Sequence, residues 1–335
     1  MKISRHLTYI LAGLTLGSCT SHFELEGIEA EEKLVVYCLP TAGCDTTIIQ
    51  VSKTVPLQSS GLPPRGIPGA FIDFSVNGER QEVQWAEMTT GMVPRESYYV
   101  VRKLNVGDRI DIVAEAKGLT AVTSSSVVPG PFPFVKAESG ETSDEDGKWL
   151  QFRVTFRDDA STEDYYGIRV LRVVNYTDSI RSSWEDKWNC STYTRVYVQH
   201  PNVSGEPLLN NKVGLDATFD FDYNYYQDLC VWDDKRISGE EYTLKIGVTP
   251  TYDVVYENNG NIYRQKFSYK LCLYRLSPDL YSFLKSMSDI GSNELGQNGL
   301  APIRSHFSNI INGFGIVGAC NLYEIDTISD GDTDE

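Results

Sequence analysis

The sequence predicts a mainly β protein of two β-sandwich-like domains, with one short C-terminal helix packed on the second. Three observations lead there. Apolar or alternating runs of strand length recur along the chain between turn signals. Asn77-Gly78 and Asn258-Asn259-Gly260 stand between such runs, and Asn and Gly tolerate the positive φ that tight hairpins need. Aromatic residues are plentiful, with 20 Tyr, 13 Phe and 5 Trp, types that suit a pleated, half-buried surface.

The first element is a leader, residues 1–18. Lys2, Arg5 and His6 precede the apolar run Leu7–Leu16, and Gly17-Ser18-Cys19 follows, which is the layout of a secretory signal. The apolar run is shorter than the roughly 20 residues needed to cross a bilayer. The order Leu16-Gly17-Ser18-Cys19 is that of a bacterial lipobox, so Cys19 is expected to be acylated and to become the new first residue. At about 0.8 kcal/mol per buried CH₂, more than one acyl chain makes a lasting membrane anchor. Residues 19–32 then read as a polar, lipidated tether.

Residues 33–130 form the first expected domain. Lys33–Leu39 is a compact apolar run and Thr46–Val55 alternates with many β-branched residues. Gln58–Pro68 is a Gly/Pro/Ser loop. Ala70–Val76 and Gln81–Met88 flank the Asn77-Gly78 hairpin, and Tyr98–Leu104, Arg109–Glu115 and Ala121–Val128 keep the same cadence. Short strands without intervening helices point to an immunoglobulin- or transthyretin-like sandwich. Pro129-Gly130-Pro131-Phe132-Pro133 interrupts any regular ladder, and residues 131–148 are expected to be a linker.

The second domain, residues 149–325, resumes with Trp149–Phe156, Tyr165–Asn175, Arg195–Gln199, Glu241–Val248, Tyr252–Tyr256 and Ile262–Tyr274. A helix is expected over 278–290. Ser277 is its N-cap, Pro278 its first residue and Asp279 lies at the positive end of its dipole. Leu280, Phe283, Leu284 and Met287 fall on one face at i, i+3, i+4 and i+7, a stripe suited to packing on a sheet. Residues 326–335 are an expected acidic tail.

Charge and cysteine content narrow the partners. The formal charge is −16, and loss of Lys2 and Arg5 with the leader takes it to about −18, which argues against nucleic acid as a partner. Of the seven Cys, six follow Cys19: Cys38, Cys44, Cys190, Cys230, Cys272 and Cys320. An even number outside the cytoplasm permits disulfides, a local Cys38–Cys44 bridge among them, and buried free thiols are the other reading.

In order and spacing, the chain after Cys19 resembles the outer-membrane lipoproteins of Bacteroidota catalogued as domain of unknown function 4249. The resemblance rests on Lys33-Leu34-Val35-Val36-Tyr37, Gly69-Ala70-Phe71-Ile72-Asp73, Phe156-Arg157-Asp158 and Asp164-Tyr165-Tyr166. It continues through Trp232-Asp233-Asp234, Ile237-Ser238-Gly239 and Ser277-Pro278-Asp279-Leu280, and closes on Ser308–Ala319 (SNIINGFGIVGA). It implies an accessory role beside a TonB-dependent outer-membrane transporter and brings no catalytic residues. Surface-exported members often carry an acidic cluster after the acylated Cys, whereas Thr20-Ser21-His22-Phe23-Glu24 has one carboxylate.

The residues give little support to catalysis. Four His are present, of which His200 and His306 fall in the body, and no Cys/His spacing suits zinc. Asp144-Glu145-Asp146-Gly147 and Asp330-Gly331-Asp332 resemble pieces of calcium loops, but position 12 counted from Asp144 is Thr155, where an EF-hand needs Glu. Asp158-Asp159 and Asp233-Asp234 follow strands, where Asp commonly makes turn hydrogen bonds. Gly313-Phe314-Gly315 and Gly318 lack the strand and crossover helix of a dinucleotide site. No cofactor and no metal are therefore expected.

For binding, Asp216–Trp232 (DATFDFDYNYYQDLCVW) is the richest segment. Phe and Tyr alternate with Asp and Asn, so a strand there would have one aromatic and one acidic face. A core-facing stripe is one reading. The other is that Tyr223, Tyr225, Tyr226 and Trp232 meet a glycan, a peptide or a partner protein, since such rings pair a broad apolar face with a polar tip. The expectation is a non-enzymatic outer-membrane lipoprotein that assists TonB-dependent capture or import by binding a ligand or the transporter. A surface or periplasmic hydrolase of glycan or peptide and a structural or adhesive envelope protein are the alternatives.

Overall fold

Two hairpins show how local sequence fixes this chain. Asn77 and Gly78 turn with φ of 53° and 80°, and Asn259 and Gly260 with 51° and 74°, the mirror-image turn that matches strand twist. The structure, a computed structural model, describes residues 31–54, 66–144, 147–181, 187–209, 212–213, 229–291 and 306–327. The expected leader, Cys19 and most of the expected tether and tail lie outside them. Among the described residues the chain is mainly β, with one short helix.

Eight strands build the first half: β1 (Leu34–Cys38), β2 (Thr46–Lys53), β3 (Phe71–Val76), β4 (Glu79–Gln81), β5 (Val83–Ala86), β6 (Ser97–Val101), β7 (Arg109–Glu115) and β8 (Val122–Val127). The second half carries β9 (Phe134–Asp144), β10 (Gly147–Arg157), β11 (Tyr165–Arg181), β12 (Trp188–Val198), β13 (Lys212–Val213), β14 (Leu229–Asp233), β15 (Glu241–Val248), β16 (Val254–Asn258) and β17 (Asn261–Leu276). Helix α1 (Pro278–Gly291), β18 (Phe314–Val317) and β19 (Cys320–Thr327) follow.

The sheets run β18-β1-β2-β6-β5 and β4-β3-β7-β8 in the first half. Alternation puts Leu34, Val36, Ile49, Val51, Phe74, Ile110 and Ile112 in one core between them. The second half pairs a three-stranded sheet, β15-β10-β9, with a larger one in which β11 and β17 are the long central strands. Phe152, Val154, Phe156, Leu244 and Ile246 meet Ile168, Val170, Leu271 and Leu273 between these sheets. On the outer face of the larger sheet, Leu280, Phe283 and Leu284 of α1 cover Leu229, Val231, Cys272 and Tyr274. The Ser277 hydroxyl accepts from the Leu280 N–H at 3.3 Å, so the expected cap starts the helix.

The stretch expected to link the halves is itself structured. Residues 134–144 form β9, which pairs along β10, and Phe132 is buried against Phe156 and Tyr166 with centroids 5.3 and 5.4 Å apart. Prolines 131 and 133 stop a ladder but leave Phe132 free to fill the core. The expected tail also yields Asp326 and Thr327 to β19.

Residues 308–319, near the C-terminus, return to the first half. β18 pairs in parallel with β1, Val35 opposite Phe314 through Cys38 opposite Val317. Gly315 has φ +106°, and a Cβ there would overlap the Val36 carbonyl oxygen, so glycine is required. The Ser124 hydroxyl donates to the Asn309 carbonyl at 3.0 Å, and the Ala319 N–H donates to Ser126 Oγ at 3.1 Å. Among the described residues the six cysteines after Cys19 form no disulfide, with Cys38 buried in the first core and Cys44 exposed, so the local bridge between them is absent.

Candidate functional site

Beyond the second core, β11, β12, β16 and β17 continue as a ribbon whose outer strands are largely exposed. Directly opposed residues of antiparallel strands share a face. Tyr176 lies opposite Tyr193, Arg172 opposite Tyr197 and Val174 opposite Arg195; Tyr256 lies opposite Tyr263, and Val174 also faces Phe267 across β17. One face therefore carries Tyr176, Tyr193, Tyr197, Tyr256 and Tyr263 with Arg172 and Arg195.

The rings on this face are ordered by one another. Tyr176 and Tyr193 stack at 4.8 Å with planes 8° apart, and Tyr256 and Tyr263 at 5.1 Å and 15°. The Arg195 guanidinium sits 5.5 Å from the Tyr193 centroid and 5.8 Å from that of Tyr176. Arg172 lies 5.5 Å from the Tyr197 ring. Such stacked cation–aromatic contacts hold the side chains in place before any partner arrives. The hydroxyls of Tyr176 and Tyr197 share a hydrogen bond at 3.3 Å. That bond and the neighbouring Arg195 hold the Tyr197 phenol below its usual pKa, while the same bond pushes Tyr176 up. Rows of phenols and guanidinium groups at interface exposure match the composition of protein recognition surfaces.

The only group of potential metal-ligating side chains among the described residues is Asp158, Asp164 and Asp234, all buried. Five of its six carboxylate oxygens accept hydrogen bonds. Asp158 accepts from the Tyr166 hydroxyl at 2.6 Å and the Gly239 N–H at 2.9 Å. Asp164 takes the Arg275 guanidinium and the Thr162 hydroxyl, and Asp234 accepts from the Asp164 N–H at 2.7 Å. Burial, reinforced by its acidic neighbours, pushes the Asp234 carboxyl above its usual pKa. The Arg275 guanidinium supplies a positive charge at Asp164, and the cluster ties the ends of β10, β11, β14 and β17 together.

The expected site residues fare as follows. Tyr223, Tyr225 and Tyr226, like Cys19, lie outside the described residues. Trp232 is 3% exposed and packs on Phe156 and Tyr166 at 5.8 and 5.7 Å, so the segment's described end, from Leu229 to Trp232, is buried on both faces where an acidic, solvated face was expected opposite the aromatic one. Asp144 serves its turn, accepting from the Gly147 N–H and the Trp149 indole at 3.1 and 2.8 Å. The ribbon face went unnoticed in the sequence. Its signal was Tyr193-Thr194-Arg195-Val196-Tyr197, period two, on a strand expected to start only at Arg195.

Comparison with known proteins adds one relationship. A family model described as domain of unknown function (DUF4249) matches residues 20–325, most of the chain, beginning at the residue after Cys19. A search of curated proteins returned no match.

Proposed function

The chain belongs to that family, and from this premise we propose that it is a non-enzymatic, lipid-anchored outer-membrane protein that assists TonB-dependent nutrient capture or import. The observation that carries the reading is the junction at Cys19. Leu16-Gly17-Ser18 precede it in lipobox order, and the family-matched body starts directly behind it. Acylation there holds the body within a tether's length of the membrane, where membrane-embedded transporters are its nearest neighbours. The Tyr and Arg face of the ribbon supports a binding role, because rigid aromatic and guanidinium groups contribute strongly per residue to association.

The test has two arms. Mass spectrometry of the processed amino terminus should find acyl chains on Cys19, and Cys19→Ala should release the protein from the membrane fraction. Affinity capture of the anchored protein should recover a TonB-dependent channel. An unacylated mature chain refutes the anchor, and repeated capture without any such channel refutes the partnership. Proteolysis of intact cells reports which side of the outer membrane the body occupies.

A further inference from the structure

Between the end of β14 and α1 opens a cleft of about 380 Å³. Its walls include Trp232 and Asp233 of β14, Lys235 and Arg236 of the next turn, and Tyr281 and Lys285 of α1. Three cationic side chains and one carboxylate thus line the cleft, in a chain whose formal charge is −16.

Hydrogen-bond accounting sharpens the imbalance. Lys235 Nζ lies 3.5 Å from Asp233 Oδ2, and the Tyr281 hydroxyl donates to the same oxygen at 3.4 Å. Arg236 gives one N–H to the Pro207 carbonyl at 3.1 Å. Lys285 Nζ rests 5.6 Å from the Tyr281 ring centre and forms no ion pair among the described residues. The Trp232 indole N–H is buried without an acceptor. A buried donor left unpaired costs about 1–3 kcal/mol, so such a group commonly marks a place for a bound water, ion or ligand. Three of the donor side chains on these walls are cationic, against one carboxylate.

We propose that this cleft binds a small molecule through an oxyanion, a carboxylate or a phosphate, with Arg236 as the forked donor and Lys235 and Lys285 as flanking charges. Guanidinium geometry matches both oxyanions in a bidentate manner. The volume suits a ligand of about one sugar ring, at the lower end of small-molecule sites. The inference goes beyond the anchored-partner reading and stands whether or not a transporter is bound.

The experiment is a titration of the full-length protein in detergent with galacturonate, glucose 6-phosphate and uncharged glucose, followed by calorimetry and by the indole N–H signals in NMR. Trp232→Phe assigns the Trp232 signal. We expect saturable binding of at least one anion, none of glucose, and a shift of the Trp232 signal at saturation. Which anion binds separates a carboxylate from a phosphate ligand. Arg236→Gln and Lys285→Gln, both on accessible side chains, should weaken binding about tenfold each, roughly 1.4 kcal/mol, at unchanged melting temperature. No saturable binding of either anion up to about 10 mM, far weaker than the roughly −4 kcal/mol of a millimolar site, overturns the proposal. So does binding that leaves the Trp232 signal unmoved or survives Arg236→Gln.

Discussion

The side-chain amide of Asn309 grips the backbone of Val317 from both sides. Its Nδ2 donates to the Val317 carbonyl at 2.8 Å, and its Oδ1 accepts from the Val317 N–H at 3.0 Å. The amide takes the role of a neighbouring strand for a residue that is itself fully buried. Asn309→Ala leaves both backbone groups unpaired and should cost about 2–4 kcal/mol, from a desolvation penalty of about 1–3 kcal/mol per group. Asn309→Asp keeps an acceptor and loses the donor, so it should fall between Ala and the parent. Urea unfolding followed by far-UV circular dichroism gives the ranking, and equal midpoints for all three would contradict this account.

Arg275 is the counter-charge of a cluster that holds three buried carboxylates. Arg275→Met should destabilise the chain by about 3–5 kcal/mol, the usual effect of removing one partner of a buried pair. Adding Asp164→Asn should recover part of that loss, because it removes the charge left stranded. A double variant no better than Arg275→Met would show that packing of the long side chain, and not charge, sets the cost.

Two acids should give stability opposite pH slopes. The Asn105 N–H and the Asn77 amide, each at 2.8 Å, hold Asp108 below the usual Asp value of 3.8. Its contribution is present above the unfolded pKa and is lost as pH falls through the lowered folded one. Asp234 is raised by burial, so its contribution is present below 3.8 and is lost as pH rises through the raised folded value. Asp108→Asn should therefore be destabilised at pH 7, with the deficit shrinking toward pH 3. Asp234→Asn should gain on the parent at pH 7 and lose that gain in acid. Thermal melts across that range read both slopes.

On the ribbon, Tyr193→Ala and Arg195→Ala should lower capture of the proposed transporter partner about fivefold or more, the effect of losing about 1 kcal/mol or more at an interface anchor. Both side chains are exposed, so melting temperatures should stay close to the parent. Full capture by the double variant would clear this face of any part in binding.

What the sequence reveals and what it hides divide along contact range. Asn77-Gly78, Asn259-Gly260 and the Ser277 cap are decided by neighbouring residues, and each forms as read. The stripe of Leu280, Phe283 and Leu284 also packs on a sheet as its spacing predicts. Residues 131–148 hide their strand because the prolines argue against one, while the pairing of β9 depends on β10 a turn away. The meeting of Val36 with Gly315 spans most of the chain, and no local pattern announces it. Asp158, Asp164 and Asp234 likewise read as separate turn formers until the fold gathers them. The tyrosine face was hidden for a related reason: its rings belong to four strands, and only register aligns them.

The parallel pairing of β1 with β18 sets an order of events for a polypeptide delivered amino end first. The first half emerges early, yet the edge of β1 has no partner until residues 314–317 arrive. Closing so distant a contact is slow, and the open edge invites mispairing in the interval. Completion of the first sandwich must then await synthesis of nearly the whole chain. A truncation that stops short of Phe314 would leave an amino-terminal half dependent on chaperones and exposed to proteases, even though every residue of its own eight strands is present.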